Sequence, residues 1–208
     1  MISGEYKVYL KDFQDLHELE KLDRHVIICG YGRNGRQAVK TLTAHKQPFV
    51  IIESESDLIQ KMQEQDPDFL IIEGDATDDS IIMKAGIDRA KALITTLPRD
   101  TDNLFVVLTA REINKSLTII SRASDDRSES KLRIAGANNV ILPDKVGGSH
   151  MASLVTTSDL MEFLDHISMM GEDETTLVEI QFKNLPADFE HKSIVELERR
   201  YQTGARII

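Results

Sequence analysis

Three glycines with the spacing G-x-G-x-x-G lie directly after an apolar run and before a stretch with helical periodicity. Backbone N–H groups at such a turn, and at the helix N-terminus that follows, bind the oxygens of phosphate or pyrophosphate groups. The first glycine permits the tight turn, the second lets a phosphate approach the backbone, and the third lets the helix pack on the strand. The segment predicts a phosphate-binding loop of Gly30, Tyr31, Gly32, Arg33, Asn34 and Gly35.

An acidic residue follows this loop at the distance expected for a ribose contact. Glu53 lies 18 residues after Gly35, at the end of the second apolar run, and Ser54 follows it. A carboxylate there accepts hydrogen bonds from both ribose hydroxyls and repels a 2′-phosphate. Because no arginine occurs in residues 54–56, the pattern favours NAD(H) or another adenine nucleotide over NADP. The alternative is a simple glycine-rich turn with a surface glutamate.

Arg33 is unusual inside such a loop, where dehydrogenases mostly carry small or apolar residues. A guanidinium at this position is expected to reach a terminal or bridging phosphate of the ligand. The alternative is an exposed arginine that contacts no ligand.

Further polar residues follow the third, fourth and fifth apolar runs, at the edge where parallel strands end. Asp75 is expected to accept from an adenine amino group, to cap the next helix, or to do both. The hydroxyls of Thr95 and Thr96 and the guanidinium of Arg99 are expected near the ribose and the phosphates. Arg122, directly after the fifth run, places another cation at the same edge. These candidates are Gly74, Asp75, Ala76, Thr95, Thr96, Arg99 and Arg122.

Six short apolar runs alternate with helical patterns between residues 25 and 142. The runs show little alternation, as strands buried on both faces do. They are 25–29, 49–52, 69–72, 92–96, 117–121 and 139–142, and the helical stretches are 36–44, 57–65, 78–85, 101–114 and 129–135. Ser56 is the expected N-cap of the second helix, and Gly136 ends the fifth. The pattern predicts an α/β fold with a Rossmann-type, doubly wound, parallel six-stranded sheet.

The pattern changes after Pro143. Residues 147–167 predict one long helix with apolar positions on more than one face, which usually packs on another subunit or domain. Residues 171–175 predict an acidic linker, and the residues after it predict a strand, a helix and the start of a further strand. The predicted domains are an N-terminal linker or helix (1–23), a nucleotide-binding domain (24–145), a dimerisation helix (146–170) and part of a small α+β subdomain (171–208).

The composition excludes several classes of protein. The 208 residues are 41% hydrophobic and 29% charged, which is typical of a globular chain. A net charge of −10 disfavours a surface for nucleic acid or anionic membranes. No apolar run approaches the roughly 18 residues of a transmembrane helix, and the one cysteine, Cys29, cannot form an internal disulfide. We therefore expect a cytoplasmic protein that binds no nucleic acid.

Several segments together resemble the RCK domain, the regulator of potassium conductance of prokaryotic channels and Trk/Ktr-type transporters. They are HVIICGYGRNGRQAV, VIIE, EGDATDD, ALITTLPRDTDN, IISRASD and LRIAGANNVILPDKVGGSHMA. The resemblance covers residues 24–167 and extends weakly over 175–208. It implies regulation rather than turnover, because RCK domains dimerise, form octameric gating rings beneath a membrane pore, and bind NAD(H), ATP, ADP or AMP.

The resemblance also implies roles for individual residues and partners. Phosphate would be held by Gly30, Gly32, Arg33 and Asn34, ribose by Glu53, and adenine by Asp75 and Ala76, with Arg122 a weaker match. The helix at 147–167 matches the family's crossover helix. The expected partners are a second copy, a gating ring, and a potassium-channel pore fused upstream or separate, at the inner face of the cell membrane.

The sequence departs from those family members that bind Ca²⁺ through acidic residues after strands four and five. Thr96, Arg122 and Ser124 stand at those places, and Asp125 with Asp126 suits a turn or a helix cap. A hard cation needs several convergent oxygens, so no metal site is predicted.

The alternative function is an NAD-dependent oxidoreductase with a minimal Rossmann domain. It would need a substrate domain and a catalytic acid or base, yet about 65 residues follow the sixth run and no Tyr-x-x-x-Lys occurs. The histidines are scattered, and His150 suits a helix start. We predict no catalytic residues and no enzyme activity. A purely structural oligomerisation module is disfavoured by Glu53.

Overall fold

The computed structural model describes residues 17–156 of the chain. Its strands are β1 (Val26–Cys29), β2 (Phe49–Glu53), β3 (Ile71–Glu73), β4 (Ala92–Thr95), β5 (Thr118–Arg122) and β6 (Asn139–Ile141). They form one parallel sheet in the order β3-β2-β1-β4-β5-β6. The chain direction across the sheet reverses between β1 and β4, which confirms the predicted doubly wound Rossmann-type sheet.

A helix follows each strand. The helices are α1 (Arg33–Ala44), α2 (Ser56–Gln65), α3 (Asp79–Lys84), α4 (Asp100–Ile113), α5 (Asp126–Ala135) and α6 (Pro143–Thr156). Residues 17–21, which precede β1, are also helical, in agreement with the helix predicted for that region.

Three helices begin three or four residues earlier than predicted, and one of them is α5, which begins at Asp126 rather than at residue 129. The first turn of α1 contains Arg33, because Gly32 is its N-cap, so the second half of the glycine loop is already helical. Helix α6 begins at Pro143 rather than at residue 147, since the fixed φ of proline suits the first helical position. The rest of the predicted long helix and the C-terminal subdomain, residues 157–208, lie outside the described residues.

Two of the predicted caps are wrong, and the cap at Gly136 is confirmed. Ser56 is the first residue of α2 rather than its N-cap, and its hydroxyl donates to Glu73 at 2.6 Å. Asp75 does not cap α3, because the carboxylate of Asp78 accepts from the backbone N–H of Ser80 at 2.8 Å. Gly136 ends α5 with φ +113°, a left-handed conformation that glycine adopts without strain.

Apolar side chains pack on both faces of the sheet, which explains the lack of alternation in the strands. One cluster contains Ile27, Val50, Leu93 and Ile119, and the other contains Val26, Ile28, Ile51, Val39 and Met62. Helices α1 and α2 cover the second cluster. On that face the neighbouring strands β4, β5 and β6 line an open groove, described below.

The chain divides into two compact units after Ala152, and the sheet lies in the first of them. Within residues 17–156, no helix has the length and apolar composition needed to cross a lipid bilayer.

Candidate functional site

The turn from β1 into α1 requires glycine at two positions. Gly30 has φ +90°, and a Cβ there would lie 3.2 Å from the Leu97 side chain. A Cβ on Gly35 would collide with the carbonyl oxygen of Gly30. Gly32 is different, because it has φ −69° and a Cβ on it would meet no described atom within 4 Å. The fold therefore leaves open space beside Gly32, where the motif predicts a phosphate.

Helix α1 presents an uncapped N-terminus to this space. Gly32 has no side chain that could accept from the first N–H groups, and the first turn contains no acidic residue. Free N–H groups and the positive end of the helix dipole favour an anion there. Arg33 is exposed in the same turn, and Asn34 is half-buried beside it. The first turn thus offers N–H donors and a cation to a phosphate group.

The carboxylate of Glu53 is fixed beside the glycine loop by backbone N–H groups. Its Oε2 accepts from Tyr31 at 2.7 Å, and its Oε1 accepts from Ser54 at 2.8 Å and Glu55 at 3.0 Å. A carboxylate has about four acceptor sites, and three are used here, so one remains for a ribose hydroxyl. Glu53 is half-buried and Ser54 is exposed. The structure therefore brings the predicted ribose acceptor to the predicted phosphate loop.

The turn after β3 lies next to Glu53. The backbone N–H of Gly74 donates to the carbonyl of Glu53 at 2.9 Å, and a Cβ on Gly74 would lie 2.7 Å from Ile81. Asp75 is exposed, and its Oδ1 accepts from both the N–H and the hydroxyl of Thr77 at 2.8 Å. Ala76 is buried. Asp75 therefore has one carboxylate oxygen outside this turn, at the edge where adenine is expected.

Thr95, the last residue of β4, and Thr96, which follows it, face different ways. Thr95 is fully buried, and its hydroxyl donates to Asn103 at 2.6 Å, which corrects the expectation that it faces a ligand. The Thr96 hydroxyl donates to the carbonyl of Gly30 at 3.1 Å, so it lies against the glycine loop. Arg99 is exposed and pairs with Asp102 at 2.7 Å, a hydrogen bond that raises the pKa of the guanidinium.

Arg122 joins two loops at the same edge of the sheet. Its Nη1 donates to the carbonyls of Leu97 and Pro98, both at 3.1 Å. The predicted cation is thus present after β5, with part of its guanidinium engaged by the loop after β4. Asn103, which also contacts this loop, was not among the sequence candidates. The available signal was a polar residue on the buried face of α4, in line with Val106, Val107 and Ala110.

The glycine loop and the turns at the carboxyl ends of the strands border a crevice, which is the candidate nucleotide site. An apolar groove of about 570 Å³ adjoins this crevice. Its floor is the sheet face of β4 to β6, with Ile94, Ile120 and Ile141. One wall is α1, and the other is the start of α6. Asn34, Thr96 and Arg122 line both this groove and the edge of the crevice.

The acidic residues after β5 serve as caps and pairs. The carboxylate of Asp125 accepts from the backbone N–H of Ser128 at 2.7 Å, which confirms the predicted helix cap and lowers the pKa of that carboxyl. Asp126 pairs with Lys145 at 2.7 Å. In residues 17–156 no group of three or more His, Cys, Asp or Glu side chains is arranged to hold a metal ion.

Known proteins share this fold. Residues 26–143, more than half of the chain, match the TrkA-N domain family. The chain belongs to this family. The whole of this TrkA-N chain aligns at 35% identity with probable potassium channel protein 2 of Methanocaldococcus jannaschii and spans 62% of that protein's length.

Solved structures with the same fold include other TrkA-N and RCK domains. The TrkA-N domain of inner membrane protein YbaL from Escherichia coli is 28% identical, with a TM-score of 0.61 over 64% of this chain and 98% of that chain. The RCK domain of GsuK is 29% identical, with a TM-score of 0.57 over 66% of this chain and 29% of that chain. The GsuK channel has been solved with NAD and with ADP, and both structures match with TM-scores of 0.54. This chain is therefore a TrkA-N/RCK domain related to potassium channel proteins.

Proposed function

We propose that the chain is the nucleotide-sensing regulatory domain of a potassium channel or transporter. The observation that carries this proposal is the open, uncapped N-terminus of α1 at Gly32, beside the fixed carboxylate of Glu53. In the proposal the helix end and Arg33 bind phosphate, and Glu53 binds ribose. Membership of the TrkA-N/RCK family supports a regulatory role for that binding.

The proposed ligand is an adenine nucleotide, namely NAD(H), ATP, ADP or AMP. The GsuK channel binds NAD and ADP, which supports this class of ligand. Glu53 would repel a 2′-phosphate, so NADP is excluded from the proposal. The adenine would lie toward Gly74, Asp75 and Ala76, and Thr96 with Arg99 and Arg122 would border the phosphates.

The proposed partner is a second copy of the chain, bound through α6. This helix exposes Val146, Met151, Leu154 and Val155, of which Met151 is 66% and Val155 86% exposed. We call these four residues the α6 surface. Burying such residues contributes roughly 25 cal/mol per Å², which favours a two-fold dimer. The rest of the predicted dimerisation helix, residues 157–170, lies outside the described residues.

A second exposed apolar surface supports assembly beyond the dimer. It consists of Met83 on α3 with Phe105 and Leu108 on α4, and Phe105 is 61% exposed. We call these three residues the α4 surface. They are on helices other than α6, so two kinds of contact could close a ring of dimers.

The proposed target of regulation is a potassium-conducting pore. The proposal allows the pore to be on the same polypeptide or on a separate subunit. In both cases the domain would lie on the cytoplasmic side of the cell membrane. Nucleotide binding would shift the dimer or ring between conformations and so act on the pore.

The same crevice would suit an NAD-dependent oxidoreductase, but the comparisons favour regulation, because the curated relative is named as a channel protein. The proposal contains no catalytic residue and no metal.

A thermal-shift series tests the proposal. The chain is heated with NAD⁺, NADH, ATP, ADP, AMP or NADP⁺, and the midpoint of unfolding is measured. A ligand at 100 times its Kd adds about 2.7 kcal/mol to stability, so at least one of the first five should raise the midpoint. NADP⁺ should raise it less than NAD⁺, and Glu53→Gln should reduce that difference. If none of the nucleotides shifts the midpoint, the proposal is wrong.

A further inference from the structure

A buried amide on α4 uses its full hydrogen-bonding capacity at the edge of the crevice. Asn103 is fully buried. Its Oδ1 accepts from the hydroxyl of Thr95 at 2.6 Å and from the N–H of Leu97 at 3.0 Å. Its Nδ2 donates to the carbonyl of Leu97 at 3.0 Å and to that of Arg122 at 3.3 Å. Two acceptor and two donor sites are all that an asparagine side chain has.

The loop that this amide holds forms a wall of the phosphate site. Leu97 is bonded to Asn103 through both its N–H and its carbonyl, so its backbone has little freedom. The side chain of Leu97 packs against Gly30, and the neighbouring Thr96 hydroxyl donates to the Gly30 carbonyl. A shift of Leu97 would therefore move atoms that touch the glycine loop.

Other bonds join the same loops, but they lie nearer to solvent. Arg122 donates to the carbonyls of Leu97 and Pro98, and Asp100 accepts from the N–H and the hydroxyl of Ser124. Water can replace these partners at small cost. A buried donor or acceptor that loses its partner is not compensated in this way.

We infer that Asn103 is a positioning residue for nucleotide binding. It contacts no ligand itself, and it sets the place of the loop 96–99 against the glycine loop. Replacing its two N–H donors removes one hydrogen bond from each of the carbonyls of Leu97 and Arg122. The Leu97 carbonyl then keeps only the more exposed Arg122 guanidinium among its side-chain partners, and the loop is held less firmly. The inference rests on the proposed nucleotide site.

The chain contains a matched control at the opposite edge of the sheet. Asn114 is also buried, and its Oδ1 accepts from the N–H and the hydroxyl of Ser116, at 3.1 and 2.9 Å. Its Nδ2 donates to the carbonyls of Ile87 and Ala90, at 2.9 and 3.4 Å. Asn114→Asp therefore damages an equivalent network far from the glycine loop.

The experiment is calorimetric titration of ADP and NAD⁺ into the wild-type chain, Asn103→Asp and Asn114→Asp, at pH values from 5.5 to 8. At pH 8 an ionised aspartate donates to neither carbonyl, so Asn103→Asp should bind at least tenfold more weakly than wild type. At pH 5.5 the protonated acid donates one hydrogen bond again, and the difference should shrink. Asn114→Asp should bind both nucleotides with the wild-type affinity at every pH, because the hydrogen bonds that it loses lie far from the glycine loop.

Amide hydrogen exchange of the ligand-free wild-type chain gives a second measurement that does not depend on any variant folding. The N–H of Leu97 should be protected to the level of the sheet core. Exchange of Leu97 at the rate of an open loop would overturn the positioning role, and so would equal affinities of Asn103→Asp and wild type at pH 8. A wild-type chain that binds neither ADP nor NAD⁺ overturns the proposed nucleotide site itself, which the wild-type titration reports separately.

Discussion

At the scale of single residues, the glycine loop contains positions that the fold requires and positions that it does not. Gly30 and Gly35 are required by a left-handed φ and by the close approach of α1 to β1. Gly32 and Arg33 have no such structural reason, because the space beside Gly32 is open and Arg33 is exposed. A bound phosphate would explain both residues.

Arg33→Ala should weaken ADP and NAD⁺ about tenfold or more, while it leaves adenosine almost unaffected. A charged hydrogen bond to phosphate is worth about 1.5–3 kcal/mol, and about 1.4 kcal/mol is tenfold in affinity. Lys40→Ala is the matched control, because it removes the same charge from an exposed position of α1, two turns further along. Titration calorimetry with the three ligands measures the effect. An equal loss for adenosine and ADP would remove Arg33 from the phosphate site.

At the scale of elements, the segment before β1 is fixed to the turn between α3 and β4. Arg89 donates through Nε to the carbonyl of Leu22 at 3.1 Å and through Nη2 to that of Leu19 at 3.3 Å. The N–H of Arg24 donates to the carbonyl of Arg89 at 3.0 Å. In the form of the proposal that has the pore upstream on the same polypeptide, this segment lies between the pore and β1. Its bonds to Arg89 then attach that connection to the turn after α3.

His25 lies at this junction and should make stability depend on pH. Its Nε2 is bonded to the carbonyl of Ala85 at 2.8 Å, and its Nδ1 is buried with no partner among the described residues. Burial lowers the pKa of His25, and Arg89 adds to the effect, while the Ala85 carbonyl, Asp23 and Asp88 oppose it.

The unfolded chain protonates His25 near its ordinary pKa of 6.5, whereas the lowered pKa of the native state delays protonation to lower pH. The free energy of unfolding should therefore fall as the pH drops from about 7 to 5. Chemical denaturation at these two pH values measures the fall. His25→Gln should reduce it, and His45→Gln should not. A wild-type fall no larger than that of His25→Gln would contradict the assignment.

At the scale of the whole molecule, the exposed apolar side chains include the α6 surface and the α4 surface, besides Ile134 on α5 and Ile141 on β6. Burying either of these two surfaces against another chain would remove apolar area from water and so favour association. Each surface is therefore suited to a contact with another chain. The groove of about 570 Å³ beside α6 adds a concave apolar site on the same side of the sheet as α1.

Light scattering at micromolar concentration should report about twice 23.5 kDa or a multiple of that mass. Leu154→Asp on α6 should give a monomer, because a charge at a dimer contact loses its hydration. Phe105→Asp on α4 serves as the control and should keep the dimer while it removes larger assemblies. A monomeric wild type, or a dimer that survives Leu154→Asp, would contradict the proposed contact.

The sequence by itself determined the six strands, their parallel order, the glycine loop and Glu53. These features are local, because an apolar run, a glycine spacing or a carboxylate at a strand end can be recognised within a few residues. The same locality explains the errors. Ser56 and Asp75 have the types of good helix caps, but their actual bonds go to Glu73 and to Thr77.

Only the tertiary structure decided which polar groups face the crevice and which are buried. Thr95 and Thr96 are neighbours in sequence, yet one hydroxyl bonds to Asn103 inside the domain and the other to the glycine loop. The hydrogen bonds of Asn103 and the apolar groove beside α6 could not be predicted from the sequence either. Both arise where β4, β5 and helices meet in the folded domain. Such partners are distant along the chain, and the folded backbone alone sets the distances between them.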